Sequence, residues 1–175
     1  MKQREIEIRQ ERPEEFACIK SLVKEAFASA MYSDGDEHNL IDRIRQTNEY
    51  IPELSLVAIN NNEIVGYIML SKIYVGETIS VAPAPLAVDS RFQRMGIGKL
   101  LINKAHDVAR KLKYPYSIVL GSPEYYGQFG YHRASESGIK PPFEVDDEYY
   151  MVRPLDENNT IKPGIVKYSK AFGLN

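Results

Sequence analysis

Two periods alternate along the chain. "REIEIRQ" places Ile6 and Ile8 on one face and predicts a first strand. "RPEEFACIKSLVKEAFASA" changes period: Phe16, Ile19, Val23, Ala26, Phe27 and Ala30 recur every three or four residues, as on the buried face of a helix. Pro13 suits a first helical turn, and Glu14 and Glu15 suit the positive end of its dipole. "YSDGDEHN" predicts a turn, and Leu40, Ile41 and Ile44 mark a second, shorter helix. "LSLVAI" and "IVGYIMLSKIYV" are apolar runs either side of "NNNE", a hairpin pattern.

"ISVAPAPLAV" is strand-like except for Pro83 and Pro85. Proline cannot donate to a ladder, so a bulge or an interrupted edge is expected there. A glycine loop follows, then a long helix from about Gly96 to Lys113 with Ile97, Leu100, Leu101, Ala105, Val108, Ala109 and Leu112 on one stripe. "YSIVLG" is apolar throughout, as in a strand covered on both faces. "SPEYYGQFGY" predicts a short helix or a turn, "DEYYMVRPL" a late strand, and one more strand could lie near residues 132–140. The tail beyond Leu155 is polar, and its Tyr168 and Phe172 are expected to dock on the body. The order β-α-α-β-β-β-α-β-α-β predicts a single α/β (α+β layered) domain over residues 1–175. Its sheet is mixed and mostly antiparallel, of about six or seven strands flanked by about four helices.

The totals exclude more than they assign. A length of 175 residues suits one domain. A net charge of −2 gives no reason to expect nucleic acid or an anionic membrane as partner. The single cysteine, Cys18, excludes an intrachain disulfide and reads as structural. With no apolar leader in "MKQREIEIRQ" and no spanning run, the expected compartment is the cytoplasm. His38, His106 and His132 are scattered, so no metal site is expected; His106 falls off its helix's apolar stripe and is expected to be exposed.

"SRFQRMGIGKLL" carries the candidate chemistry. It is not a Walker A loop, because position 93 is Gln93 and Gly98-Lys99 is followed by Leu100. It is not a dinucleotide fingerprint, because the third glycine position is Leu101. What remains is Q-x-x-G-x-G at a strand-to-helix junction. Missing side chains at Gly96 and Gly98 would let a phosphate reach unpaired helix N–H groups, with Arg91, Arg94 and Lys99 adding positive charge. By itself the loop fits equally a plain turn with solvated basic residues.

The loop has company. "APLAVDSRFQRMGIGKLLINKAHDVARK…YSIVLGSPEYYGQFGYHRA" resembles the GNAT superfamily of acyl-CoA-dependent N-acetyltransferases, in Q-x-x-G-x-G after a strand and in Y-x-x-x-G-[FY] from Tyr126 to Tyr131. The resemblance covers about residues 4 to 155, and "GSPEYYGQFGY" with "PGIVKYSKAF" looks like a bacterial branch assigned by sequence. It implies transfer of acetyl from acetyl-CoA, as co-substrate, directly to a primary amine. It implies that Gln93, Arg94, Met95, Gly96, Ile97, Gly98 and Lys99 hold the pyrophosphate, and that Leu86, Ala87 and Val88 pair with the pantetheine arm. The Val88 main-chain N–H would polarise the carbonyl, and Tyr126 would act as general acid on the leaving thiolate. Tyr125 reads as a wall residue. The base stays open between Glu77, Asp36, Glu37 and a water relay. A non-catalytic acyl-CoA-binding module on the same fold is the alternative. The amine acceptor and the oligomeric state, a homodimer included, are not fixed by the sequence.

Overall fold

The long hairpin organises the molecule. In the computed structural model, which describes residues 5–31, 33–158 and 160–174, strand β3 (Glu63–Val75) lies between β2 (Ser55–Asn60) and β4 (Thr78–Val88), antiparallel to both. Strand β1 (Glu7–Gln10) pairs with β2. On the other side of β4 come β5 (Tyr116–Leu120), β8 (Tyr150–Pro154) and the two-residue β6 (His132–Arg133). Two short strands, β7 (Ile139–Lys140) and β9 (Gly164–Lys167), close the far end, with β9 added to β3 at Tyr74 and Val75. The nine strands among the described residues exceed the expected six or seven because β6, β7 and β9 are too short to show a period. Arg4, Tyr32, Asn159 and Asn175, which fall within expected elements or the tail, lie outside the described residues.

Alternation decides which face each strand residue serves. Leu56, Ala58, Ile68 and Leu70 pack with Ile97, Leu101, Ile102, Ala105 and Ala109 of helix α3 (Ile97–Lys111). Val57, Ile59, Tyr67 and Met69 turn the other way, against Ile19, Leu22 and Val23 of α1 (Phe16–Phe27) and Ile41 and Ile44 of α2 (Glu37–Arg45). The sheet is therefore covered on both faces. Helix α1 ends at Phe27, so Ala30 is exposed instead of buried. Cys18 is exposed on α1 and takes no part in the core.

An ion pair locks α2 to the sheet. Arg45 meets Glu11 at 2.6 Å, with side chains 8% and 1% exposed, and the Tyr50 hydroxyl donates to the same carboxylate at 2.7 Å. Glu11 N–H in turn donates to Ser55 C=O.

The expected irregularity falls where the prolines are. Leu70 pairs with Pro83 and Ile68 with Leu86, so Met69 faces two residues, Ala84 and Pro85. That is a bulge in β4. β4, α3 and β5 form a parallel crossover unit, yet β4 and β5 pair only at Val81 and Ser117. Beyond that pair the two strands part.

Candidate active site

The parting strands make a slot, and strand chemistry fixes what lines it. Asp89 N–H donates to Val65 C=O at 2.8 Å, which points its main chain toward β3. Alternation turns Ala87 the same way and turns the main-chain groups of Leu86 and Val88 to the β5 side. Beyond the Val81–Ser117 pair no strand among the described residues takes them. Ala87, expected beside them, is committed to β3. The Gln93 amide donates to Val88 C=O at 3.2 Å and ties the loop to the strand end.

The loop then enters α3. Gly96 caps the helix at φ 85, in the left-handed region that a side chain seldom adopts. Leu100 N–H to Gly96 C=O, at 3.1 Å, is the first helical bond, so the N–H groups of Ile97, Gly98 and Lys99 precede the ladder. Arg94, Met95 and Lys99 are exposed around them, whereas the Ile97 side chain is buried in the core. Arg91 differs from expectation: it pairs with Asp89 at 2.8 Å and also contacts Glu63, so its charge is spent on neighbours. A Cβ on Gly98 would lie 2.7 Å from the Tyr125 hydroxyl, so a side chain there would push that hydroxyl away from the loop.

Helix α4 (Pro123–Gly127) carries Tyr126. Ser122 caps it by accepting from Tyr125 N–H, and Tyr126 N–H donates to Ser122 C=O at 2.9 Å. The Tyr126 ring lies over Gly121, whose added Cβ would sit 2.4 Å from ring carbon Cε2. Tyr125 and Tyr131 meet it edge-on at centroid distances of 5.2 and 5.6 Å. Burial, and then the neighbouring Tyr125, pushes the Tyr126 hydroxyl up to about 12. It is a protonated donor throughout the neutral range.

Behind it lies a polar chain that the sequence pattern missed. His106 is 2% exposed, not on the surface as its place off the stripe suggested. Arg153 donates to Nδ1 at 2.5 Å, so Nε2 holds the proton and donates to the Tyr131 hydroxyl at 2.8 Å. The Tyr131 hydroxyl can then donate to Ser117 Oγ at 2.8 Å. Burial first, and then Arg153, depress His106 to about 3, so it is neutral. The stripe failed because a histidine facing Tyr131 is buried by polar partners instead of apolar ones.

The slot opens into a cavity of about 480 Å³ lined by Ala82 to Leu86, Ile118 to Gly121 and Tyr126, together with Phe27, Glu37, Leu40, Phe143, Tyr168, Phe172 and Leu174. The tail docks as expected. The Tyr150 and Tyr168 hydroxyls bond at 2.8 Å, and Ala171 C=O accepts from Arg43 of α2. That the tail also walls the cavity was not legible.

The three carboxylate candidates separate. Glu77 is exposed in the β3–β4 turn, at the other end of β4 from Val88, and does not line the cavity. Asp36 is held by Arg43 at 2.8 Å and Asn39 at 3.0 Å, and its hydrogen bond from Arg43 keeps it below the usual carboxylate range. Glu37 lines the cavity. No cluster of three or more His, Cys, Asp or Glu that could hold a metal occurs among the described residues. Nor is any described helix long and apolar enough to cross a membrane.

Known proteins share this architecture. The model of the acetyltransferase (GNAT) family matches residues 17–131. The uncharacterised N-acetyltransferase YhbS of Escherichia coli K12 is 27% identical over 169 residues, 94% of this chain and 97% of its own length. The crystal structure of E. coli YhbS in complex with CoA superposes with a TM-score of 0.88 at 25% identity, covering 99% of this chain and 94% of that one. A GNAT acetyltransferase from Brucella melitensis, in complex with acetyl-CoA, has a TM-score of 0.81 at 26% identity over 97% and 99% of the two chains. With its family model spanning residues 17–131, this chain belongs to the acetyltransferase (GNAT) family.

Proposed function

We propose that this protein is an acetyl-CoA-dependent N-acetyltransferase that moves acetyl directly onto a primary amine. One observation carries this: the slot between β4 and β5 has the Leu86 main-chain groups and the Val88 N–H turned into it with no strand partner among the described residues, and Tyr126 within it. The CoA and acetyl-CoA complexes belong to the E. coli and Brucella relatives, and their likeness to this chain supports the same donor here.

The residues fit that donor. The N–H groups of Ile97, Gly98 and Lys99, with Arg94 and Lys99 beside them, suit a pyrophosphate. Gln93 and Met95 complete that loop, and the bare Gly96 and Gly98 keep it open. Leu86 and Val88 suit the amide-bearing arm as an added strand would. In the transfer, Val88 N–H polarises the acetyl carbonyl. The amine nitrogen forms the new C–N bond as the C–S bond breaks, and the electron pair leaves with sulfur. Tyr126 hydrogen-bonds the developing thiolate and supplies its proton, then regains one from solvent. The amine proton passes to Glu37 or to water.

A thiol ordinarily titrates near 8.5, below Tyr126. Tyr126 therefore acts first as a hydrogen-bond donor to the thiolate, and its proton passes fully only where burial in the slot raises the thiol as well. Direct transfer is supported by the lining, in which the described residues include no cysteine, serine or threonine. Cys18 lines a different cavity with Glu14 and Glu15.

The test is thiol release from acetyl-CoA across a panel of primary amines. Amine-dependent release is the expected result. Tight CoA binding with no turnover on any amine would leave a non-catalytic acyl-CoA-binding module in its place.

A further inference from the structure

Glu37 is the one charged side chain among the described residues that line the cavity. Its Oε1 accepts a hydrogen bond from the Ser33 hydroxyl at 2.5 Å. Its Oε2 is shut off from solvent and has no hydrogen-bond partner among the described residues. A shielded carboxylate oxygen with no donor is costly unless something supplies one. Lys24 and His38 line an adjoining cavity that Glu37 also lines, and neither forms an ion pair with it.

The rest of the described lining is apolar or aromatic. Phe27 and Leu40 come from α1 and α2, Phe143 from the segment before β8, and Tyr168, Phe172 and Leu174 from the tail. The wall is fixed: Phe143 packs on Tyr150 at 5.8 Å and on Tyr168 at 6.1 Å, and Tyr168 packs on Phe172 at 5.2 Å. The Tyr168 hydroxyl is already bonded to Tyr150.

We propose that this pocket takes a small monoamine with an apolar, ring-bearing body, its ammonium seated on Glu37 and its ring against Phe143, Tyr168 and Phe172. This rests on the transfer reading above and names its acceptor. The charge count supports it. A polyamine or an aminosugar would bring several cations to one carboxylate, and its spare charges would be desolvated unpaired. An amino acid would bring a carboxylate to a pocket with no lining cation and one resident acid. A hydroxyl-rich amine would leave its hydroxyls against phenyl rings.

Two assays separate this inference from the transfer reading. The first is calorimetric binding of phenethylamine to the CoA-loaded protein, which needs no chemistry. Phenethylamine should bind at least tenfold tighter than ethanolamine or spermidine. Glu37→Gln, which keeps shape and removes charge, should weaken phenethylamine at least tenfold and leave CoA affinity within twofold. The second is turnover: kcat/KM should favour phenethylamine over ethanolamine by the same margin, and Phe143→Ala should shrink that ratio. Equal binding of the three amines overturns the inference, as does phenethylamine binding that Glu37→Gln leaves unchanged. Selective binding that Glu37 controls, with no acetylation of any amine, instead overturns the transfer reading and leaves the pocket assignment standing.

Discussion

Replacing Gly121 by alanine should disable chemistry without touching the donor loop. The added methyl would lie 2.4 Å from Tyr126 Cε2 and 2.7 Å from Cδ2. Carbon atoms prefer about 3.5–4.0 Å, so the ring must retreat by roughly 1 Å. The ring cannot swing freely. Tyr125 and Tyr131 hold its edges at 5.2 and 5.6 Å, and Phe129 stands 6.5 Å away. Overpacking of this kind costs about 1–3 kcal/mol in stability, and a 1 Å misplacement of a reacting group costs on the order of 10²-fold in rate. The assay is steady-state thiol release from acetyl-CoA with an amine acceptor, alongside calorimetric CoA binding. kcat should fall on the order of 10²-fold, while CoA affinity stays within about threefold, because the loop from Gln93 to Lys99 is untouched. A Gly121→Ala protein that turns over at the parent rate would show that the place of the Tyr126 ring does not matter.

Three further outcomes follow from the same geometry. Gly96→Glu combines a φ of 85, which costs a side chain about 1–2 kcal/mol, with a carboxylate at the proposed pyrophosphate site; CoA binding should weaken more than 100-fold by calorimetry, and unchanged affinity would remove the loop from its role. His106 is depressed to about 3 by burial, so its neutral form adds stability that is present above an unfolded value near 6.5 and lost as pH falls toward 3. The unfolding free energy from urea titrations should therefore fall by up to about 1.4 kcal/mol for each pH unit of acidification between those values, and His106→Gln should flatten that component. Tyr126, raised to about 12, keeps its proton as pH rises, so kcat should climb to a plateau and show no alkaline fall before about pH 10; a fall centred near pH 8.5 would point to a different acid.

The layers were legible because their periods are long and consistent. Ile97, Leu101, Ala105 and Ala109 recur on α3, and the two prolines announced the β4 bulge that opens the slot. What the chain pattern could not show was sequence-distant contact. Phe27, Phe143 and Phe172 meet in one pocket although their segments share no motif. The tail carried a visible signal, since aromatic residues in a polar stretch must bury somewhere. That they would wall the cavity depended on β9 pairing with β3, and four residues are too few to show alternation. His106 was misplaced for a related reason: its burial is set by Tyr131 and Arg153, which the helix period does not see. The carboxylates were ambiguous because exposure and pairing, not residue type, distinguish Glu37 from Asp36 and Glu77.

The most direct test of Tyr126 as the acid in a slot built for acetyl transfer is Tyr126→Phe, which removes one oxygen and keeps the ring over Gly121. Amine-dependent thiol release should fall by about 10²-fold or more in kcat, with CoA affinity within about twofold of the parent. Equal turnover by the phenylalanine protein would contradict the assignment, whatever its CoA affinity.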